Sequence, residues 1–236
     1  DADRDRPAQS EKEAHGQVKG VVIEFDFAAM NGAQLLFNTA KSYLKRLDDI
    51  PLDKTSEARY LAGSDCAEGL ARLFAVVKTK KTAPKAAREL TAAFAAALND
   101  AVPAAVTAAF RNFVKALADR DVAVVIATRA ELDVVKPAFE SLLGERVFLC
   151  QEDSSCYGTA KGESWRRACR LAGVRQAATI VVTGSGYGVK SALMTGMGSV
   201  AVVNEHVAYQ DFGGADVVIN ELSGKTAKKV LEALRV

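Results

Sequence analysis

The chain of 236 residues carries 31 lysines and arginines against 29 aspartates and glutamates, which gives a formal charge of +2. Both signs are mixed along the chain, so the charge gives no reason to expect a nucleic-acid partner. The four cysteines and two histidines lack metal-binding spacing. We therefore expect no zinc site, no disulfide framework and an intracellular reducing compartment.

The apolar runs are of strand length, far short of the roughly 20 residues that a membrane helix requires. We expect a soluble protein with no membrane span. Residues 1–19 are highly charged with almost no large apolar residue, which predicts an N-terminal arm outside the folded domain. The arm could contact other protein subunits or lie on its own domain. The first residue is Asp1, so removal of a targeting segment, and an organelle such as the mitochondrion, is one candidate explanation.

From Gly20 onward, short β-rich runs alternate with helical runs, which predicts an α/β fold with a three-layer, doubly wound parallel sheet. The predicted strands are 20–27, 122–129, 146–150, 179–182, 199–204 and 216–220. The predicted helices are 33–47, 56–77, 83–101, 104–121, 130–144, 162–174 and 223–236. No strand is predicted within 33–100, so we assign that stretch to a helical cap insertion. Residues 20–32 and 101–236 then form the core.

Ligands of an open parallel sheet bind beyond the carboxyl ends of its strands. Polar residues collect at these positions or just before a helix: Glu24, Asp26, Thr128, Arg129, Lys161, Thr183 and Ser185. Two carboxylates, hydroxyls, an ammonium group and the amides of a glycine-rich loop would suit a phosphate. That loop, "TGSGYGVKS", is neither a Walker A loop nor a dinucleotide loop, because Val189 stands where each needs glycine.

Each of these residues also has a structural interpretation. Glu24 and Asp26 could cap backbone amides, Thr128 could be a turn residue, and Lys161 could be a solvated cation beside an arginine-rich helix. We assign no role to Arg129. Trp165, Tyr187 and the four cysteines are expected to be packing residues.

The order of these motifs resembles that of the haloacid dehalogenase (HAD) superfamily, particularly its phosphatase and phosphomutase branch. The likeness runs from about Gly20 to the C-terminus: "VVIEFDF", "VVIATR", Lys161 before a helix, and the loop through "GYGVKSALMTGM". The resemblance implies a helical cap over the site. It also implies that Glu24 stands at the nucleophile position, Asp26 at the acid/base position, and Thr128, Lys161 and Ser185 at phosphate-binding positions.

The sequence departs from the family pattern where the chemistry is most demanding. Family enzymes place an aspartate where this chain has Glu24, and they hold Mg²⁺ with an acidic residue where this loop reads Thr183, Gly184 and Ser185. The extra methylene of Glu24 would misplace an attacking oxygen, and the missing acid removes a hard oxygen ligand. We therefore expect no metal and no cofactor, with Mg²⁺ implied only if the chain is an active enzyme.

Two functions remain open. The first is a catalytically degenerate HAD-like protein that is a non-catalytic structural or accessory subunit of a larger assembly and still able to bind phosphate or a phosphorylated metabolite. The second is a HAD-family phosphatase that uses Glu24 or Asp26 on a small phosphorylated metabolite.

Overall fold

The protein is described from a computed structural model that covers residues 17–158, 162–207 and 209–233. Its sheet has six parallel strands in the order β3-β2-β1-β4-β5-β6. The strands are β1 (Gly20–Glu24), β2 (Ala123–Thr128), β3 (Val147–Gln151), β4 (Thr179–Thr183), β5 (Gly198–Val202) and β6 (Val217–Ile219). The order reverses between β1 and β4, so the doubly wound parallel sheet predicted from the sequence is confirmed.

Ten helices are found in the described ranges. They are α1 (Phe25–Ala28), α2 (Gly32–Asp48), α3 (Lys54–Ser56), α4 (Cys66–Val77), α5 (Ala83–Ala105), α6 (Ala108–Ala118), α7 (Leu132–Phe139), α8 (Gly162–Ala172), α9 (Gly186–Met194) and α10 (Gly224–Glu232). A π-helical turn, Glu57–Leu61, follows α3, and a 3₁₀ turn, Gln176–Ala178, precedes β4.

The two faces of the sheet are covered by different helices because successive strand residues point to opposite sides. In β1, Val21 and Ile23 pack into the larger core, which includes residues of α6 and α10. Val22 packs on the other face with Trp165 and Cys169 of α8. Strands β1, β2 and β4 are buried along their whole length, as expected for strands with both faces covered. Trp165 and Cys169 are therefore packing residues, as predicted.

The cap is an all-helical layer inserted after α1. Helix α5 packs against both α2 and α4, and the apolar face of this layer is fully buried at Leu70, Leu90 and Leu98. Helix α5 continues from the cap to Ala105, so the boundary predicted at residue 100 falls inside it. Its axis and that of α6 meet at 80°.

Three details differ from the sequence prediction. Strand β1 ends at Glu24, and residues 25–28 form a helical turn instead of extending the strand to Phe27. The segment 56–77 is not one helix, because α4 begins anew at Cys66 with Asp65 as its N-cap. The predicted arm ends earlier than residue 19, since Val18 is buried in the core and the Lys19 amide donates to the carbonyl of Ala178. Residues 1–16 lie outside the described ranges.

In the described parts of the chain, no single helix is long and apolar enough to cross a membrane. The bent pair Ala83–Ala105 and Ala108–Ala118 passes that test by length and composition alone.

Candidate functional site

The carboxyl ends of β1, β2 and β4 bring five of the polar residues together. Glu24 ends β1, Thr128 ends β2 and Thr183 ends β4, while Asp26 is the second residue of α1, directly after β1, and Arg129 follows β2. All five are buried, with exposed fractions of 6% or less. The structure therefore brings these five residues together, whereas their chemical roles stay predictions.

Asp26 is held by the start of the segment that follows β2. The Thr128 hydroxyl donates to Oδ1 at 2.5 Å, and the Arg129 main-chain amide donates to Oδ2 at 2.7 Å. Burial raises the pKa of Asp26, and the Arg129 charge and these hydrogen bonds act in the opposite direction. The Thr128 hydroxyl thus positions a carboxylate in this structure.

Glu24 has both carboxylate oxygens engaged. Arg129 Nη2 donates to Oε1 at 3.2 Å, and the Thr183 hydroxyl donates to Oε2. Burial raises the pKa of Glu24, while the Arg129 guanidinium and the Thr183 hydrogen bond favour its ionised form. Thr183 stands where the family resemblance implies a metal-binding acid, and here its side chain is a hydrogen-bond donor to Glu24.

Arg129, to which no role was assigned from the sequence, lies at the centre of the site. Its Nη1 is 3.5 Å from Asp26 Oδ2, its Nη2 contacts Glu24, and its guanidinium carbon lies 5.0 Å from the centroid of the Phe27 ring. Among the described residues it is the one buried cation, beside the buried carboxylates of Glu24, Asp26 and Glu152. Its pKa is raised, chiefly by these three carboxylates acting against burial, so the guanidinium stays charged.

Glu152, which sequence reasoning missed, completes the acidic group. It follows β3 and is 3% exposed. The Ser154 amide donates to its carboxylate at 2.9 Å and the Ser164 hydroxyl at 3.2 Å. Its place after a predicted strand in "VFLCQED" was the available signal.

The main chain of the glycine-rich loop packs closely against the main chain that follows β1. A side chain at Gly184 would place its Cβ 1.9 Å from the Phe27 carbonyl oxygen. The amides of Ser185, Gly186 and Gly188 donate to Thr183 Oγ1, Gln210 Oε1 and Ser185 Oγ. These three amides have protein partners here, and their role in holding a phosphate stays a prediction.

Ser185 and Lys161, both predicted to bind phosphate, have different outcomes. Ser185 is the N-cap of α9, and it lines the cleft described below. Its role as a phosphate ligand stays a prediction. Lys161 lies outside the described residues, so the structure does not place it.

A cleft of about 60 Å³ opens over the site between core and cap. The core contributes Glu24 and Arg129, and the cap contributes Lys54, Glu57 and Gly63. A single water needs roughly 10–15 Å³ by the same measure, so the cleft holds a few water-sized groups, such as the oxygens of one phosphate. Nε and Nη1 of Arg129 are buried without a hydrogen-bond partner among the described residues, and Nη1 lies within ion-pair distance of Asp26.

The residues present do not fit Mg²⁺. That ion needs hard oxygens arranged octahedrally at about 2.0–2.1 Å, but the oxygens of Glu24 and Asp26 face a guanidinium or accept from threonine hydroxyls. Within residues 17–158, 162–207 and 209–233, no group of three or more His, Cys, Asp or Glu side chains could hold a metal ion.

The comparisons with solved structures show that this capped, doubly wound α/β fold is shared with known proteins. No family model matches the sequence, and no curated protein matches it. The chain has the fold of HAD-superfamily phosphatases and phosphomutases.

Three solved structures illustrate the likeness. A β-phosphoglucomutase from Clostridium difficile is 12% identical with a TM-score of 0.67, over 92% of this chain and 97% of that one. A HAD hydrolase of family IA, variant 3, from Entamoeba histolytica is 16% identical with a TM-score of 0.69, over 93% and 100%. A predicted phosphoglycolate phosphatase from Haemophilus somnus is 14% identical with a TM-score of 0.60, over 90% and 98%. At these identities the likeness concerns the fold, including the cap.

Proposed function

We propose that this chain is a HAD-like protein that binds a small phosphate-bearing molecule in its cleft without magnesium-dependent phosphoryl transfer, and that it is an accessory subunit of a larger assembly. The observation that carries the first part is the position of Arg129. Its guanidinium lies between Glu24 and Asp26, which are the nucleophile and acid/base positions by resemblance.

A fixed cation at this position changes what the site can do. A guanidinium supplies positive charge and hydrogen-bond donors in a plane, which suits a phosphate oxygen. It also occupies the oxygens that a metal would need, and it holds Glu24 so that an attacking carboxylate oxygen is not free. Binding is therefore retained more easily than hydrolysis, since hydrolysis needs both a free nucleophile and neutralisation of the transferring phosphoryl group.

The accessory role rests on the sequence alone. The charged arm of residues 1–16 is the candidate contact with other protein subunits, and an organelle such as the mitochondrion is the proposed location. Gel filtration of a gentle extract, with antibody detection, tests this part: the chain should elute in a particle far above its own 25.1 kDa. Elution as a free monomer or dimer would contradict the accessory role.

The alternative is a HAD-family phosphatase acting on a small phosphorylated metabolite. The structural neighbours favour it, because they match over nearly the whole chain and their names describe phosphatases, hydrolases and phosphomutases. Asp26 is also held in place by Thr128, as an acid/base residue would need to be. The ion pairs of Arg129 with Glu24 and Asp26 argue against it.

Thermal unfolding and turnover together separate the two functions. Under the binding proposal, millimolar inorganic phosphate raises the melting temperature of the purified protein, Mg²⁺ alone does not, and Arg129→Met abolishes the phosphate effect. Arg167→Met is the matched control, because Arg167 is an arginine of α8 whose ion pair with Asp153 is exposed. Mg²⁺-dependent hydrolysis of phosphomonoesters that disappears in Asp26→Asn would establish the phosphatase and overturn the proposal.

A further inference from the structure

Two thiols from distant parts of the chain meet at the junction of cap and core. Cys66 is the first residue of α4 in the cap, and Cys156 lies in the loop after β3 in the core. Their Sγ atoms are 3.3 Å apart and hydrogen-bonded, and both side chains are buried. Cys150 and Cys169 are also free thiols, and Cys169 instead contacts the Thr179 hydroxyl at 3.6 Å. The expectation that all four cysteines are packing residues leaves this pair unexplained.

The loop that carries Cys156, residues 152–158, is here called the strap. Three contacts hold it against the cap. The Cys66 amide donates to the Ser155 hydroxyl at 3.2 Å, and the Cys156 amide donates to Thr91 Oγ1 of α5 at 3.4 Å. The Tyr157 hydroxyl donates to Glu57 at 2.8 Å. The main chains that carry the two cysteines are therefore held next to each other by contacts on both sides of the pair.

The two cysteines differ in the surroundings that set their pKa values. The hydrogen bond with Cys66 lowers the pKa of Cys156, and its bond to Thr91 and the Arg129 charge act in the same direction. The same thiol pair and burial raise the pKa of Cys66. Cys156 also lines the cleft, which admits molecules of about the size of water. The thiolate is the form that reacts with oxidants, so Cys156 is the thiol that a small oxidant meets first.

We propose that Cys66 and Cys156 form a reversible disulfide, with a hydroperoxide as the oxidant, and that this bond joins α4 of the cap covalently to the strap of the core. The sulfur atoms need to approach by about 1.3 Å to reach disulfide length. This inference is independent of what the cleft binds.

The chemistry balances in two steps. With hydrogen peroxide, the Cys156 sulfur attacks one oxygen, an S–O bond forms, the O–O bond breaks, and the leaving hydroxide takes the proton given up by the Cys156 thiol, which yields a sulfenic acid and water. The Cys66 sulfur then attacks that sulfur, the S–S bond forms, the S–O bond breaks, and the hydroxide leaves with the Cys66 proton as a second water. Two thiols are oxidised and one peroxide is reduced. A dithiol reductant reverses the change.

The bond would close a loop between residues 90 positions apart. A cross-link of that span restricts the unfolded chain, and we expect oxidation to raise the melting temperature by about 5–15 °C. The reduced protein would keep the four free thiols of the structure.

The test uses the purified full chain treated with hydrogen peroxide or with dithiothreitol, then denatured and alkylated. Peroxide-treated wild type should take up two alkyl groups instead of four, and peptide mapping should find residues 66 and 156 linked. Cys66→Ser should lose both the link and the rise in melting temperature. The matched control Cys150→Ser should keep both, because Cys150 is not part of the pair.

The mapping on wild type decides the question even if Cys66→Ser does not fold. Four alkylatable thiols after peroxide treatment, a link that maps to a different pair, or a link that forms only in denaturant would each overturn the proposal.

Discussion

Replacing Arg129 by methionine tests the electrostatics of the site most directly. The substitution keeps an unbranched side chain of similar length but removes the ion pairs to Glu24 and Asp26 at 3.2 and 3.5 Å. Two buried carboxylates then lose their cation. Breaking a buried ion pair by removing one partner costs about 3–5 kcal/mol, because the remaining charge is uncompensated.

The loss of stability in Arg129→Met can be estimated for each of the two carboxylates in turn. Asp26 keeps the Thr128 hydroxyl; it also keeps the amide of residue 129, which methionine still supplies. Glu24 keeps only the Thr183 hydroxyl, so burial should make it take up a proton. Protonating a carboxyl whose ordinary pKa is 4.5 costs about 1.4 kcal/mol for each pH unit above that value, or about 3 kcal/mol at pH 7.

The pH dependence has a definite sign. In Arg129→Met the folded-state pKa of Glu24 lies above its value in the unfolded chain, so the free energy of unfolding is highest at low pH and falls as the pH rises. Burial already raises the pKa of Glu24 in the wild type, so the two pH–stability curves should separate only above pH 4.5. Relative to wild type, the deficit should then grow to at most about 3 kcal/mol at pH 7, which corresponds to a melting temperature lower by up to about 6–12 °C.

Urea unfolding of both proteins across this pH range measures the effect. The control Arg167→Met removes an exposed ion pair with Asp153 and should cost less than about 1 kcal/mol at any pH. The reasoning would be refuted by pH–stability curves that run parallel for wild type and Arg129→Met, since Arg129 would then have no influence on the ionisation of Glu24.

Three further substitutions test the fold around the cleft. Gly184→Ala should cost about 3 kcal/mol or more in urea unfolding, because its Cβ would lie 1.9 Å from a main-chain oxygen; Gly144→Ala, with nothing within 4 Å, should stay within about 1 kcal/mol of wild type. Tyr157→Phe should cost about 1–3 kcal/mol, since it leaves the buried Glu57 carboxylate without its phenol donor. Burial raises the pKa of Glu57 and the tyrosine opposes that, so the Tyr157→Phe deficit should grow from pH 5 to pH 8; a deficit that shrinks would contradict this sign. Leu70→Ala, at a fully buried cap position, should cost about 2–5 kcal/mol, and a separate early transition in the melt would show that cap and core do not unfold together.

The sheet could be predicted because the apolar pattern of each strand lies within a few consecutive residues. Strands β1, β2 and β4 are continuous apolar runs, which is the pattern of strands buried on both faces. The end of β1 was not predictable in the same way. The chain turns at Phe25, whose ring packs edge-on against Phe110 and Phe139 at 5.0 Å, and those partners lie some hundred residues away in sequence.

The break in the cap helix could have been found from the sequence. Asp65 accepts from the amides of Ala67 and Glu68 as the N-cap of α4, and Gly63 adopts a positive φ of +71° just before it. The "GSD" of residues 63–65 is a stop and start signal of the kind that ends one helix and begins another. The apolar residues on either side continue with helical spacing, so the segment was predicted as one helix despite this signal.

Arg129 illustrates the limit for the site itself. Its position after a strand is visible in the sequence, but a lone arginine there is equally consistent with a solvated cation. What fixes its role is the distance to Glu24, at the end of β1, and to Asp26, in the helical turn that follows, both more than a hundred positions away. The same holds for Cys66 and Cys156, which are 90 positions apart with no paired-cysteine spacing to connect them.

The three departures from the phosphatase pattern involve the same charged groups, so we expect that no single substitution produces magnesium-dependent phosphatase activity. Glu24 reaches both Arg129 and Thr183 with the extra methylene that distinguishes it from aspartate. Glu24→Asp would shorten the carboxylate and weaken both contacts, leaving the guanidinium of Arg129 in place. The variant should therefore lose about 1–3 kcal/mol of stability in urea unfolding and gain no Mg²⁺-dependent turnover.

Restoring an acid at position 183 as well should still fail while Arg129 remains, because the cation competes with a metal for the same oxygens. A combined Glu24→Asp, Thr183→Asp and Arg129→Asn variant removes all three obstacles at once. Mg²⁺ should raise the melting temperature of the triple variant only. If Glu24→Asp alone acquires Mg²⁺-dependent hydrolysis, then Arg129 does not block the metal, and the site lies one methylene from being a working phosphatase.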